Sequence, residues 1–182
     1  MGQYYKPVIL AKNKKTIEKC VSPYDYGNGA KLMEHSWLGN NLVLAFESLI
    51  YKNPQHVVWA GDYADECKGR KTNLYERCKE SNEVKPTAHL KADDVRFIVN
   101  HTKKEFVDTT KVLKITASWV GDEDYRIHPL PLLTCEGNGR GGGDFRNEDN
   151  HNIVGTWARD LISAEPDMPK DYVELMFDLI EK

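Results

Sequence analysis

No stretch of this sequence approaches the roughly 18 consecutive apolar residues that a membrane-spanning helix requires. Cysteine is scarce: Cys20, Cys67, Cys78 and Cys135 are widely spaced with no C-x-x-C pair, which argues against a zinc site or a disulfide framework and for reduced thiols in a cytosolic compartment. An excess of charge of one sign is also missing. The 25 basic and 28 acidic residues are mixed along the chain, for a net charge of −3, so no broad attraction to duplex nucleic acid is expected. The opening MGQYYKPVIL has neither a basic segment followed by an apolar one nor a small-residue cleavage site. Lys6 stands where a myristoylation motif wants Ser or Thr. These absences predict a soluble, unprocessed cytoplasmic protein with no membrane partner and no resident metal or cofactor.

What is present suits a single globular domain over residues 1–182, with 40% hydrophobic residues to build a core. YYKPVIL reads as a strand, with Pro7 pointing to an edge position because proline donates no ladder hydrogen bond. TIEKCVS reads as its antiparallel neighbour. In NNLVLAFESLIYK, Leu42, Val43, Phe46, Leu49 and Ile50 recur at spacings of three and four, predicting an amphipathic helix capped by Asn40 or Asn41. HVVWA is a short strand, and TNLYERCKE a weak helix with Thr72 as its cap. VRFIVN and KEFVDTT form a hairpin turning near His101 to Lys103. KVLKITASWV, YRIHPLPLLT and NIVGTWARDLISAE supply further strands. PKDYVELMFDLIEK carries an apolar stripe from Tyr172 to Ile180 behind Pro169 and Asp171, predicting a C-terminal helix over 169–182. The short links favour antiparallel pairing. The expected class is α+β, a mainly antiparallel sheet with two or three flanking helices.

A faint internal echo divides the chain near residue 85. VILAKNKKTI is similar to FIVNHTKKEF, GNGAK at Gly27 to GNGRG at Gly137, and WAGD at Trp59 to WARD at Trp157. The order suggests two half-repeats, about 1–85 and 86–168. The matches need different offsets, so chance similarity among short strands stands beside duplication.

The most unusual stretch is CEGNGRGGGDFR from Cys135. Gly137, Gly139, Gly141, Gly142 and Gly143 can turn successive N–H groups into an anion-binding nest. Arg140 and Arg146 add planar forks suited to phosphate or carboxylate, with Asp144 among them. No Gly-Lys-Ser/Thr follows, which excludes a Walker A loop, and the glycine-to-helix context of a dinucleotide fingerprint is missing. The bland alternative is a solvated hairpin loop, which RNEDNHN immediately after it favours.

Elsewhere, MEHSW places His35 before a helix, as a candidate acid or base or as a packing residue. WAGDYADE gathers Asp62, Tyr63, Asp65 and Glu66 at a strand end, the three carboxylates as oxygen ligands for a divalent cation or the whole as a solvated turn. Trp37, Tyr63 and Phe145 are the aromatics suited to cover a base. His128 lies between a strand and two prolines that enforce an extended path. The leading expectation is a binding module whose glycine-arginine loop closes over an anionic, nucleotide-type ligand. Its alternatives are a hydrolase of a phosphorylated or glycosidic substrate using His35 with Asp62, Asp65 or Asp144, and an inhibitor that meets a host protein through the loop.

The segments MGQYYKPV, KLMEHSWLGN, VVWAGDYADE, NLYE, VNHTKKEFVD, LPLLTCEGNGRGGGDF and VGTWARD resemble a family of small bacterial and bacteriophage proteins for which no activity is established. KKEFVD and WAGDY are also similar to segments of fungal proteins of unknown role. The resemblance spans nearly the whole chain and implies a cytosolic protein, of a mobile element, with no catalytic residue to carry over. In that setting, sequestration of a host signalling nucleotide as counter-defence is one implied purpose.

Overall fold

A computed structural model describes residues 3–78, 82–116, 124–137 and 153–177. Its centre is a mixed, mostly antiparallel sheet. The strands are β1 (Tyr5–Leu10), β2 (Ile17–Cys20), β3 (Gln55–Gly61), β4 (Phe97–Asn100), β5 (Glu105–Asp108), β8 (Cys135–Glu136), β9 (Leu161–Glu165) and β10 (Val173–Glu174). Their order is β10-β5-β4-β9-β3-β1-β2, with β8 alongside β3. β6 (Lys114–Thr116) and β7 (Asp124–Arg126) form a separate antiparallel hairpin. Helices α1 (Asn41–Ile50), α2 (Leu74–Arg77) and α3 (Pro129–Thr134) complete an α+β fold. No helix among the described residues is long and apolar enough to cross a membrane.

The periodicity of α1 translates directly into packing. Leu42, Val43, Phe46 and Ile50 are fully buried, and the Asn40 side chain accepts from the Leu42 N–H at 2.9 Å, as an N-cap does. Phe46 meets Trp59 of β3 edge-on, centroids 4.9 Å apart. This pair sits within a continuous core with Tyr5, Ile9, Ile98, Leu130, Leu133, Trp157 and Ile162. In α2 the cap is Asn73, not Thr72: its side chain accepts from the Glu76 N–H while Glu76 reaches back to the Asn73 N–H.

Three sequence expectations are overturned by tertiary context. β1 is an interior strand, paired with both β2 and β3. Pro7 is tolerated there because its carbonyl accepts from the Val21 N–H. Nitrogen and carbonyl of one residue face the same side of a strand, so the missing donor falls on the outermost pairing with edge strand β2 and spares the β1–β3 ladder. The proline-rich YRIHPLPLLT is extended only through His128 and then becomes α3. Pro129 and Pro131 lie in the first turn, where backbone N–H groups have no intrahelical partner to lose. Of the helix expected over 169–182, residues 169–177 are not helical and 178–182 lie outside the described residues: β10 pairs in parallel with β5. Asp171 takes a left-handed φ of 62°, and the Val173 and Leu175 amides donate to Lys104 and Phe106 carbonyls. An open sheet edge satisfies the backbone that an isolated helical turn would have to satisfy itself. NIVGTWARDLISAE is likewise strand only from Leu161, with turns over 153–159.

The two halves named by the internal echo are arranged alike. β3-β1-β2 on one side and β9-β4-β5 on the other each consist of a hairpin plus a third antiparallel strand, joined where β3 and β9 run antiparallel. Both hairpin turns use one device. The Asn13 side chain accepts from the Lys15 and Thr16 amides, and Asn100 from Thr102 and Lys103. Lys14 and Lys104 then take the same left-handed φ of 56°. The devices fall at different positions of the aligned segments, Asn13 opposite Thr102 and Lys14 opposite Lys103, so each turn follows from its own local chemistry.

Candidate functional site

The loop before α1 is anchored by His35, which is completely buried. Its Nδ1 lies 3.1 Å from the Gly29 carbonyl and its Nε2 3.0 Å from the Trp59 indole Nε1. The indole can only donate, so Nε2 accepts and Nδ1 carries the proton toward Gly29. Burial pushes the imidazole down to about 4, keeping it neutral. Both ring nitrogens are thus committed to structure, and neither is available as the acid or base of a hydrolase.

From this anchor the chain is laced to β7. Ser36 accepts from the His128 N–H through its carbonyl, and the Leu38 N–H donates to the Arg126 carbonyl at 2.9 Å. An isolated bridge joins Trp37 to Ile127. His128 accepts the Leu130 N–H at Nδ1, capping α3, and so presents its Nε2 proton to buried Glu47 at 2.9 Å. His128 is the extended residue that follows β7 and the bridged Ile127, and it also serves as a helix cap over a buried carboxylate.

This lacing brings Trp37 to the wall of a cavity of about 670 Å³. The opposite walls come from Ala92, Asp93, Val95 and Arg96, from Thr109 and Thr110 in a 3₁₀ turn, and from Lys114, Tyr125 and Arg126 of the β6–β7 hairpin. The size falls within the range of small-ligand sites. Lys114 and Arg126 are directly opposite across the hairpin, and neither has an ion-pair partner among the described residues. Like charges at opposed positions repel, and sequences ordinarily avoid them unless something else is gained. Arg96 differs: it bonds Asp108 at 2.9 and 3.4 Å and lies over the Phe97 ring at 4.9 Å. Burial alone would raise the Asp108 carboxyl, but hydrogen bonds from Arg96 and Thr110 outweigh it and hold the group below its ordinary range. Among the described residues the cavity wall thus carries Lys114, Arg126 and the Asp108-paired Arg96 beside one acid, Asp93.

The other predicted residues gather elsewhere or fall outside the described chain. β3 and β8 run parallel, pairing Trp59 with Cys135 and Ala60 with Glu136. Gly137 and the turn carrying Asp62 and Tyr63 therefore leave the same sheet end. Asp62 is engaged there in holding the Tyr4 N–H at 2.9 Å, while Tyr63 is 44% exposed and does not line the cavity. Asp65 and Glu66 are exposed, and no group of three metal-binding side chains occurs among the described residues. Asp160 is structural too, held by Asn100 at 3.0 Å and Lys14 at 3.7 Å. Gly139, Arg140, Gly141, Gly142, Gly143, Asp144, Phe145 and Arg146 lie outside the described residues.

Of the ligand-binding residues expected from sequence that lie among the described residues, only Trp37 lines the cavity. Lys114, Arg126, Arg96 and Tyr125 were missed. A usable signal existed in KVLK and DEDYRIH: pairing these segments as a hairpin sets two cations face to face. No family model matches the chain, and no curated protein or solved structure is significantly similar to it.

Proposed function

We propose that this protein is a small-molecule binding module for an anionic, nucleotide-type ligand seated in the cavity beside Trp37. The observation that carries the reading is the opposed Lys114–Arg126 pair on the cavity wall. Two cations side by side, without an ion-pair partner among the described residues, lose hairpin stability in the free protein and regain it when a phosphate-type dianion bridges them. Trp37 offers an aromatic face for a base or comparable ring, and Asp93 an acceptor for a hydroxyl or amino group. Thr110 adds a neutral polar group at the rim. Binding without turnover is favoured because the histidine expected to move protons is locked in the core.

Thermal unfolding with nucleosides, their mono-, di- and triphosphates and inorganic phosphate tests the reading. At a ligand concentration about 100-fold above Kd, stabilisation is about 2.7 kcal/mol, or a rise of about 5–10 °C for a chain of this size. The expected pattern is a rise with at least one phosphorylated nucleoside that exceeds those with its parent nucleoside and with phosphate. Arg126→Ala with Lys114→Ala should abolish it, and Trp37→Ala should reduce it. A flat response across the panel, or a rise undiminished in the double variant, would overturn the proposal.

A further inference from the structure

Two adjacent acids, Asp93 and Asp94, sit in the turn that precedes β4, and they do different things. Asp94 closes the turn: its carboxylate accepts the Lys91 N–H at 2.7 Å, and its own N–H donates to the Lys91 carbonyl at 3.0 Å. Asp93 stands on the cavity wall and is exposed, with no hydrogen bond or ion pair among the described residues. Of the cations on that wall among the described residues, Lys114 and Arg126 face each other across the hairpin, and Arg96 bonds Asp108. A carboxylate placed to offset these cations would be paired with one of them. The Asp93 oxygens stand outside every such pair and offer acceptors only to whatever enters the cavity. The same turn packs against the segment that carries Trp37. Gly39 takes a left-handed φ of 85°, and a Cβ built on it would lie 3.9 Å from the Ala92 Cβ, an ordinary van der Waals separation. Aromatic ring and carboxylate thus come from two segments in contact, both lining one cavity.

We infer that the base of the ligand is guanine and that Asp93 selects it, an inference that rests on the nucleotide-binding reading above and names the base. A carboxylate accepts at both oxygens. Among the common bases, guanine alone sets two N–H groups side by side on one edge, at a ring nitrogen and at its 2-amino group. Adenine and cytosine place a ring-nitrogen lone pair beside their amino group, and that lone pair repels the second carboxylate oxygen. Uracil flanks its single N–H with carbonyl oxygens, which repel both. Two parallel hydrogen bonds to a charged acceptor are both strong and geometrically specific. Taking one away leaves a carboxylate oxygen unpaired against the ligand, a loss of about 10- to 100-fold in affinity. Asp93 is therefore the specificity-determining residue, while Lys114 and Arg126 hold the phosphate whatever the base.

Isothermal titration of the full chain with the monophosphates and triphosphates of guanosine, inosine, xanthosine, adenosine, cytidine and uridine provides the test. Inosine keeps the ring N–H of guanine and lacks only the amino group, so guanosine nucleotides should bind about 10- to 100-fold more tightly than their inosine counterparts, with the adenosine, cytidine and uridine nucleotides no tighter than inosine. Asp93 is exposed, so Asp93→Asn keeps the fold and changes only the acceptor pair. In that variant the guanosine-to-inosine ratio should fall to near one, and xanthosine, which carries a carbonyl oxygen where guanine has its amino group, should become the tightest ligand because the new amide both accepts and donates. Equal binding of all the bases, preference for another base, or a guanosine preference that survives Asp93→Asn overturns the guanine assignment and leaves the anion site standing. No binding of any nucleotide by the wild type overturns the anion site itself and the assignment with it.

Discussion

At the scale of single residues, His35 links folding to pH. In the unfolded chain its imidazole titrates near 6.5, and in the fold near 4. Above pH 6.5 neither state is protonated and stability is at its full value. As the pH falls from 6.5 toward 4, the unfolded state takes up a proton that the native state refuses, so the unfolding free energy decreases by about 3 kcal/mol in total. His101, also lowered by burial, acts in the same direction. Urea unfolding at pH 7 and pH 5 should show the loss, and His35→Ala should flatten it. That variant should also lose about 2–4 kcal/mol at pH 7, because it opens a cavity and leaves the Trp59 indole without its acceptor. The sequence reading weighed a packing role for His35 against a catalytic one. What it could not supply was the partner, since Trp59 lies on a strand 24 residues away and only the fold brings the two rings together.

Among the elements, the β6–β7 hairpin separates stability from binding. Lys114→Glu converts the opposed like-charge pair into an attractive one with Arg126. The expected result is a gain of a few tenths of a kcal/mol in chemical unfolding, together with loss of the nucleotide-dependent thermal shift. A variant that loses stability as well would mean that Lys114 has a structural partner and is not held in reserve for a ligand. Elements whose backbone demands are met locally were readable in advance: α1 with its Asn40 cap, and the hairpin of β4 and β5. Elements that depend on what lies beside them were not. The residues of β10 carry a helical apolar stripe, yet they satisfy an open edge of β5; two prolines look extended and begin a helix instead.

Across the whole molecule, the join between β1, β3 and β8 leaves no room for a side chain at Gly61. A Cβ on Gly61 would sit 2.5 Å from the Glu136 carbonyl oxygen and 2.9 Å from the Tyr5 ring. Backbone cannot yield as a flexible side chain can, so Gly61→Ala should force β8 off β3 and cost about 1–3 kcal/mol. Hydrogen exchange should show protection lost first around Cys135 and Glu136; uniform loss would mean that β8 is not separable from the sheet. The same join sets the start of the glycine-rich stretch beside the Asp62 turn, because parallel strands end together.

The sequence by itself determined the class, the helix α1, the main hairpins and the paired turns, all of which follow from side-chain periodicity and local hydrogen bonding within a few residues. The tertiary structure alone decided the strand order, the fate of the final segment, the neutral state of His35 and the meeting of Trp37 with Lys114 and Arg126. Those outcomes rest on contacts between residues dozens of positions apart, and a cavity wall or an open sheet edge exists only once such distant segments have packed.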